Sequence, residues 1–237
     1  MRVAIIGATS AIAREVATLY AAEGATLFLV ARNEASLLAL AGDLRARGAT
    51  GVETFLADLT DRTRDHALLA AAGTPEIVLI AHGTLPDQRA IEHDVAALTD
   101  AFTLNATSTI TLAAHFANVL EHAGRGTLAV IGSIAGDRGR RTNHLYGAAK
   151  AAVHTYCEGL RGRLLASNVA VVLVKPGWVD TPMTAGIRKN ALFASAASVG
   201  RGIHAAIRAR RGTVYVPGYW RWISLIVRIL PARFVKF

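Results

Sequence analysis

The sequence is poor in cysteine, in long apolar runs and in metal-ligand patterns. Cys157 is the single cysteine in 237 residues, so an internal disulfide framework is excluded and a reducing compartment, the cytoplasm, is predicted. No uninterrupted apolar run reaches the roughly 20 residues of a membrane-spanning helix. No signal peptide is predicted, because no charged leader precedes the first apolar segment. The eight histidines lack ligand spacing, so no metal site is expected.

Acidic residues are absent from the C-terminal quarter. Residues 181–237 contain ten lysines and arginines and no acid, whereas residues 1–180 contain 16 basic and 17 acidic residues. This asymmetry favours an anionic partner, such as a phosphorylated substrate, an acidic lipid or an acidic carrier protein. An arginine-rich composition without a binding role is the alternative. Nucleic acid is not expected, because no aromatic stacking platform accompanies the basic residues.

The chain does contain an alternation of apolar strands and helical segments. Strands are predicted at 3–6, 26–30, 52–56, 77–81, 127–131, 170–174 and 213–216, and helices at 13–23, 37–47, about 94–122, 146–167 and 199–210. Strands buried on both faces and separated by helices imply right-handed parallel crossovers. We therefore predict a single-domain α/β fold over residues 1–217, with a doubly wound, Rossmann-like parallel sheet of about seven strands and helices on both faces. Residues 218–237 are predicted to be an apolar and basic helical tail of the same domain.

The turn between the first strand and the first helix is a candidate dinucleotide site. In such folds a pyrophosphate meets backbone N–H groups at the helix N-terminus. Glycine usually stands where this chain has Ala11 and Ala13, and alanine cannot adopt a positive φ without cost. Taken alone, the turn fits an ordinary strand-to-helix connection equally well. The predicted cofactor-binding residues of this turn are Gly7, Thr9, Ser10, Ala11 and Ile12.

The end of the second strand predicts which dinucleotide would bind. An acidic residue there would bind the adenosine ribose hydroxyls of NAD(H), but Ala31 stands at that place. The following Arg32 offers a guanidinium fork that suits a 2′-phosphate. The sequence therefore predicts a preference for NADP(H) over NAD(H). A solvated arginine at a strand end is the alternative.

The most informative motif is the helical stretch from Tyr146 to Lys150. Side chains four apart on a helix lie on the same face, one turn above the other. A neighbouring ammonium stabilises a phenolate, so Lys150 is predicted to lower the pKa of Tyr146 from its ordinary value near 10. Such a tyrosine can transfer a proton near neutrality, as carbonyl reduction requires. Ser133 follows an apolar strand, where its hydroxyl can bind the same substrate oxygen.

These motifs, in this order, resemble the short-chain dehydrogenase/reductase family over roughly residues 2–217. The resemblance implies hydride transfer between NADP(H) and a carbonyl carbon, with Tyr146 as proton donor and Ser133 polarising the oxygen. It also implies that Lys150 binds the nicotinamide ribose and that Asn105 holds a water of the proton relay. Asn105 could instead cap a local bend in its helix. Family members usually pair through their long helices, so a homodimer or homotetramer is expected.

The resemblance also assigns the remaining cofactor residues. Asp58 and Leu59 would hold the adenine, and Thr181 would hold the nicotinamide carboxamide. Ala81-His82-Gly83 departs from the family's usual Asn-Ala-Gly, and His82 is interpreted as packing beside the cofactor rather than as a proton carrier. The implied cofactor-binding residues beyond the first turn are Arg32, Asp58, Leu59, Ala81, His82, Gly83, Tyr146, Lys150, Pro176, Gly177, Val179 and Thr181.

Two further segments bear on the substrate. Arg138, Arg140 and Arg141 lie between Ser133 and Tyr146, where they could bind a substrate phosphate or form a solvated charge run. In the segment 220–231, Arg221, Ser224 and Arg228 form one narrow polar stripe on an otherwise apolar helix. The eleven residues before Pro231 are too short to span a bilayer. Trp220, Trp222 and Arg228 are instead predicted to contact a membrane interface, and Arg233, Phe234, Lys236 and Phe237 continue that pattern. A helix packed on the core or in a dimer interface is the alternative.

Both segments resemble one branch of the family, which reduces the 2-keto sugar of decaprenylphosphoryl ribose epimerisation. That branch implies a 2-keto pentose on a polyprenyl phosphate as substrate, and an enzyme at the inner face of the membrane. A soluble ketoreductase of acyl-carrier-linked or small hydrophobic ketones is the alternative. Ala11, Ala13 and Ala81 also motivate a non-enzymatic NADP-binding regulator, against which the intact Ser133 and Tyr146-Lys150 motifs argue.

Overall fold

The computed structural model describes residues 1–231. Its strands are β1 (Arg2–Ile6), β2 (Thr26–Ala31), β3 (Gly51–Leu56), β4 (Ile77–Ile80), β5 (Gly126–Ile131), β6 (Val169–Pro176), β7 (Val179–Asp180), β8 (Ala194–Ser195) and β9 (Thr213–Val216). Its helices are α1 (Ala11–Ala22), α2 (Glu34–Ala46), α3 (Asp65–Ala72), α4 (Gln88–Ile91), α5 (Val95–Phe102), α6 (Ser108–Ala123), α7 (His144–Arg163), α8 (Ala196–Arg208) and α9 (Trp220–Ile229). All seven predicted strands are present, whereas α3, α4 and the short strands β7 and β8 were not predicted.

Seven parallel strands form one sheet in the order β3-β2-β1-β4-β5-β6-β9. Because side chains alternate across a strand, Val3 and Ile5 of β1 join the core on one face, whereas Ala4 and Ile6 join the core on the other. Helices α1, α2 and α8 cover the first face, and α3, α6 and α7 cover the second. The prediction of a single doubly wound, Rossmann-like domain with about seven strands is confirmed. The strand order reverses between β1 and β4, where such folds bind ligands.

The long helix predicted from about 94 to 122 is not continuous. A π-helical turn, Thr103–Thr107, separates α5 from α6. Such turns add a residue to the helical repeat and often occur at functional sites. Asn105 lies in this turn, and its side-chain amide donates to the Ala101 carbonyl at 2.9 Å. The water-holding role and the capping of a local bend both stay predictions for Asn105.

Helix α9 differs from the predicted amphipathic pattern. Trp220, Ser224 and Val227 are buried against the core, so Ser224 does not belong to an exposed polar stripe. Trp220 packs on Trp178 with 5.7 Å between ring centroids. The predicted contact of Trp220 with a membrane is therefore wrong, because its side chain is buried. The opposite face is apolar and exposed, and it consists of Trp222, Leu225, Ile226 and Ile229, with 63%, 51%, 56% and 76% of their surface accessible.

Among residues 1–231, no helix has the length and apolar character needed to cross a bilayer. The predicted contacts of Arg233, Phe234, Lys236 and Phe237 lie outside the described residues.

Candidate functional site

A cavity of about 540 Å³ opens at the carboxyl edge of the sheet. It brings together predicted residues that lie far apart in the chain, because parallel strands all end at the same edge. The predicted residues that line it are Gly7, Thr9, Ser10, Ala11, Ile12, Arg32, Asp58, Leu59, Ala81, His82, Gly83, Ser133, Arg140, Tyr146, Lys150, Pro176, Gly177, Val179 and Thr181. Asn105, Arg138 and Arg141 do not line it. We call the side with Gly7, Arg32 and Asp58 the cofactor end, and the side with Ser133, Tyr146 and Lys150 the carbonyl end.

The backbone of the first turn explains why glycine is needed at Gly7 but not at Ala11 and Ala13. Gly7 has a φ of 81°, and a Cβ there would lie 2.7 to 2.8 Å from the backbone of His82. Ala11 and Ala13 lie within α1, where φ is negative and alanine is favourable. Ser10 caps α1 by accepting a hydrogen bond from the Ala13 N–H at 3.2 Å. The turn therefore presents a helix N-terminus to the cavity despite its alanines.

The cofactor end also contains Arg32 and Asp58. Arg32 follows β2 and is exposed at the cavity wall. Asp58 accepts hydrogen bonds from the N–H and the hydroxyl of Thr60 at 2.9 and 2.8 Å. These bonds lower the pKa of Asp58, and the Arg32 charge contributes further. An exposed guanidinium beside a fixed carboxylate can bind the adenosine half of a dinucleotide, so the residues present fit NAD(P)(H).

His82 lies between the two ends. Its Nε2 is 2.8 Å from Ser108 Oγ and 3.2 Å from Thr109 Oγ1, both on α6. Burial, together with the charge of Lys150, lowers the pKa of His82 to about 3. The imidazole is therefore neutral at physiological pH, which agrees with a packing role and argues against a proton carrier.

Asn105 organises the backbone beside His82. Its Oδ1 accepts the Thr84 N–H at 3.0 Å, and its Nδ2 donates to the Ala101 carbonyl at 2.9 Å. A Cβ at Gly83 would lie 2.8 Å from this Oδ1 and 3.6 Å from Lys150 Nζ. Gly83 is therefore required where the loop passes between Asn105 and the lysine. Asn105 is placed behind the cavity wall, with its side chain engaged by backbone groups.

The carbonyl end joins Tyr146, Ser133 and Lys150. Burial raises the pKa of the Tyr146 phenol to about 12, and a hydrogen bond with Ser133 opposes this rise. The Lys150 ammonium is 5.7 Å from the tyrosine ring centroid and donates to the Ile131 carbonyl at 3.1 Å. Burial lowers the pKa of Lys150 to about 8. The pKa of Tyr146 is therefore raised rather than lowered as predicted, because desolvation of the phenolate is the largest effect.

The three arginines between Ser133 and Tyr146 have different surroundings. Arg140 is buried in the cavity wall, and this burial lowers its pKa. Arg138 points away and donates to the carbonyls of Arg228 and Leu230 at 3.4 and 3.1 Å, where it caps the end of α9. Arg141 is exposed outside the cavity wall. The structure thus separates the predicted substrate cluster, because Arg140 lines the cavity and Arg138 and Arg141 do not.

The wall after β6 is shaped by α9, which sequence reasoning did not connect with the cavity. A Cβ at Gly177 would lie 1.8 Å from Nε1 of Trp220, so the indole occupies the space of the missing side chain. Thr184 donates to the Val179 carbonyl at 2.6 Å and fixes the segment that contains Thr181. The cavity rim also includes Thr84, Leu85, Leu104, Asn143, Met183 and Ile187, none of which was predicted. Among them, Leu85, Leu104, Met183 and Ile187 are apolar, and that character alone does not distinguish them from core residues.

A doubly wound sheet with a glycine turn at its switch point defines a dinucleotide-binding α/β protein. The sequence profile of the short chain dehydrogenase family matches residues 1–192. The chain therefore belongs to the short-chain dehydrogenase family, a family of NAD(P)-binding oxidoreductases. Among the described residues, no group of three or more histidines, cysteines or acids could hold a metal ion.

Individual relatives agree with this assignment. An uncharacterized oxidoreductase of Mycobacterium tuberculosis is 34% identical, over 98% of this chain and 94% of its own length. A short-chain dehydrogenase from Sphingobium yanoikuyae, solved in complex with NADPH, is 28% identical with a TM-score of 0.84 and covers 95% of this chain and 92% of that one. A putative betaketoacyl-ACP reductase is 26% identical with a TM-score of 0.79, over 91% of this chain and 95% of its own.

Proposed function

We propose that the chain is an NADP(H)-dependent carbonyl reductase with Tyr146 as the proton donor. The observation that carries this proposal is the contact of the Tyr146 phenol with Ser133 inside the cavity that also contains the Gly7 turn. NADPH bound in this cavity would supply the hydride. Serine and tyrosine hydroxyls meeting at one point can both bind a carbonyl oxygen and stabilise its developing negative charge.

The protonation states support reduction. A phenol with a pKa near 12 stays protonated at neutral pH, so Tyr146 is ready to donate its proton to an oxygen that becomes an alkoxide. Lys150, with a pKa near 8, is mostly protonated at pH 7 and stabilises the negative charge that remains on Tyr146. Asn105 keeps Gly83 and Thr84 in place beside this lysine.

Replacing Tyr146 with phenylalanine tests this proposal directly. The ring and its packing remain, while the phenolic proton donor beside Ser133 is removed. We expect NADPH-dependent reduction to fall about 10²- to 10⁴-fold with NADPH affinity within about twofold, measured by stopped-flow oxidation of NADPH and by fluorescence titration. Equal turnover in Tyr146→Phe and wild type would reject Tyr146 as the donor. NADPH binding by a wild type that turns over no carbonyl would support the regulator instead.

The preference for NADP(H) rests on Arg32. Its guanidinium is exposed at the cofactor end, and the residue before it, Ala31, offers no carboxylate to a ribose diol. The NADPH in the Sphingobium yanoikuyae structure is a property of that protein, but it agrees with this proposal.

We propose that the substrate is a ketone with an anionic group, and specifically a 2-keto sugar on a polyprenyl phosphate. The support is Arg140, which is buried in the wall of the same cavity. The first assay is reduction of a polyprenylphosphoryl 2-keto pentose in detergent, by wild type and by Arg140→Gln. A KM raised about tenfold or more in the variant, with an unphosphorylated keto sugar affected less, is expected for a phosphate contact. Equal KM values would remove Arg140 from substrate binding.

The exposed face of α9 supports contact with an acidic membrane surface at the cytoplasmic side. Trp222, Leu225, Ile226 and Ile229 form a continuous apolar face opposite the buried one, and Arg221 and Arg228 flank it. Residues 181–237 contain no acid that would repel anionic lipids. Apolar area combined with basic charge is what interfacial helices use.

Deletion of the whole tail would remove Trp220 from the core, so point substitutions are the better test. Leu225→Gln with Ile226→Gln should abolish sedimentation with phosphatidylglycerol vesicles, whereas phosphatidylcholine vesicles should bind neither protein. Leu165→Gln, at an exposed leucine after α7, is the matched control and should sediment as wild type. Unchanged sedimentation of the double variant would reject the membrane contact.

A soluble ketoreductase of acyl-carrier-linked or small hydrophobic ketones is the alternative. It is favoured by the likeness to the putative betaketoacyl-ACP reductase and by the apolar rim residues Leu85, Leu104 and Met183. Turnover of a 3-ketoacyl thioester that is indifferent to the α9 substitutions would select this alternative.

We further propose that the chain forms a homodimer or homotetramer through α6 and α7. A shallow groove between these helices is lined by Ile110, Tyr156 and Leu160, and a second copy of the same helix pair would cover it. Ala152→Arg, in this groove, should lower the mass measured by analytical ultracentrifugation. An unchanged mass in the variant, or a monomeric wild type, would reject this pairing.

A further inference from the structure

We propose that His154 is a positioning residue for Ser133, an inference that rests on the proposed reductase function. His154 lies on α7, four residues after Lys150 and eight after Tyr146, so it extends the same helix face one further turn. Its side chain is 6% exposed. The Ser133 N–H donates to His154 Nε2 at 3.3 Å. Helix α7 would thus supply the proton donor Tyr146, its neighbour Lys150, and His154, which holds the backbone of Ser133.

The turn that contains Ser133 is built around the imidazole. A Cβ at Gly132 would lie 2.5 Å from His154 Nε2, and a Cβ at Gly136 would lie 2.6 Å from His154 Cε1. Both separations are shorter than real Cβ contacts. The chain on each side of Ser133 therefore passes directly against the ring, and glycine is the residue that permits this approach.

The acceptor role fixes the tautomer of His154. An imidazole that accepts at Nε2 must have its proton on Nδ1 when neutral. Nδ1 is 3.7 Å from Asp137 Oδ1, so this proton faces a carboxylate. Burial and the charge of Lys175 lower the pKa of His154 to about 3, which keeps Nε2 free to accept at physiological pH.

Asp137 connects this histidine to the sheet. Its carboxylate accepts from Lys175 Nζ on β6 at 2.7 Å and from the Tyr215 hydroxyl on β9 at 2.9 Å. A charged carboxylate buried with a lysine partner is held firmly, because breaking the pair would leave an uncompensated buried charge. The orientation of Ser133 is therefore determined from β6 and β9 through Asp137 and His154.

The kinetic test compares two replacements of His154. Glutamine can place its Oε1 near the Nε2 position and accept the same N–H, whereas leucine keeps most of the volume and accepts nothing. We expect His154→Leu to lower kcat about 10- to 100-fold, as a misplaced catalytic group does, with the NADPH dissociation constant within about twofold. His154→Gln should recover kcat to within about threefold of wild type. Equal kcat values for both variants would overturn the proposal.

A second measurement does not depend on turnover. In ¹⁵N-histidine-labelled protein, His154 should have the Nδ1–H tautomer, and the Ser133 amide should exchange slowly with deuterium. That protection should be lost in His154→Leu and retained in His154→Gln. An Nε2–H tautomer, or unchanged Ser133 protection in the leucine variant, would overturn the proposal. If the wild type reduces no carbonyl, the reductase function fails, and this measurement still decides the contact.

Discussion

The two ends of the cavity are built in different ways. At the cofactor end the backbone of the Gly7 turn and the N-terminus of α1 form the wall, and Arg32 is exposed to solvent. At the carbonyl end buried side chains form the wall, and burial shifts the pKa values of Tyr146 and Lys150 in opposite directions. Backbone recognition tolerates changes of side chain, whereas buried titratable groups depend on their identity and on their neighbours.

Replacement of Lys150 with methionine should show the largest effect, because Lys150 belongs to the carbonyl end. We expect loss of carbonyl reduction by about 10²- to 10⁴-fold together with a gain in stability. Burial lowers the pKa of Lys150 from 10.5 to about 8, so the folded protein disfavours the ammonium. At pH 7 this amounts to as much as about 3 kcal/mol, which methionine would not incur. Urea denaturation of both proteins without cofactor measures the difference.

The pH dependence of the free energy of unfolding provides the control for this gain in stability. A group whose folded pKa is lowered below its unfolded value binds more protons when unfolded, so the contribution of Lys150 to wild-type stability, taken relative to the variant, should rise between about pH 8 and pH 10.5. The methionine variant should lack this rise. A variant that is less stable than wild type at pH 7, with the same pH dependence, would show that the ammonium is well compensated in the fold.

Replacement of Gly7 with alanine tests the one position at the cofactor end where we expect a change of side chain not to be tolerated. Its φ of 81° and the contact with the His82 backbone leave no room for a methyl group. We expect a loss of about 2–4 kcal/mol in the free energy of unfolding and NADPH binding weakened more than tenfold, measured by denaturation and by titration. A Gly7→Ala variant with unchanged stability and NADPH affinity would mean that the loop containing His82 can move away.

Replacement of Arg32 with alanine should have a smaller and more selective effect. A hydrogen-bonded charge pair contributes about 1.5–3 kcal/mol, so NADPH binding should weaken about 10- to 150-fold. NADH lacks the 2′-phosphate, and its affinity should stay within about twofold by isothermal calorimetry. Arg125 is an exposed arginine before β5. The control substitution Arg125→Ala should change the affinity for neither NADPH nor NADH. Equal weakening of both nucleotides by the Arg32 variant would reject 2′-phosphate recognition.

The sequence predicts the sheet and most of the cavity because their determinants are local. Apolar runs predict β1 to β6 and β9, and the ends of parallel strands necessarily converge. Even Arg140 at the cavity follows from its place after Ser133. The raised pKa of Tyr146 could not be predicted from the sequence, because the burial of the phenol depends on atoms from other elements. The spacing along α7 reveals only that Lys150 is a neighbour of Tyr146.

The features that sequence reasoning missed depend on contacts between distant elements. Trp220 and Trp222 look equivalent in an apolar helix, but Gly177, over 40 positions earlier, provides space for one of them. His154 looks like an ordinary helix residue until Gly132 and Gly136 close around it. Arg138 looks like its neighbour Arg140, yet it caps α9. In each case the identity of the partner is set by packing rather than by a local pattern.

The smallest effect is expected for Ala13→Gly, which restores a residue that dinucleotide turns usually have. Ala13 lies within α1 and is fully buried, and it does not line the cavity. Glycine should therefore cost roughly 1–2 kcal/mol of stability, from helix propensity and the lost methyl burial, and leave the NADPH dissociation constant within about twofold. Denaturation and titration of the single variant measure both quantities. An affinity that improved tenfold would mean that the turn does need glycine there, and that its alanines weaken cofactor binding after all.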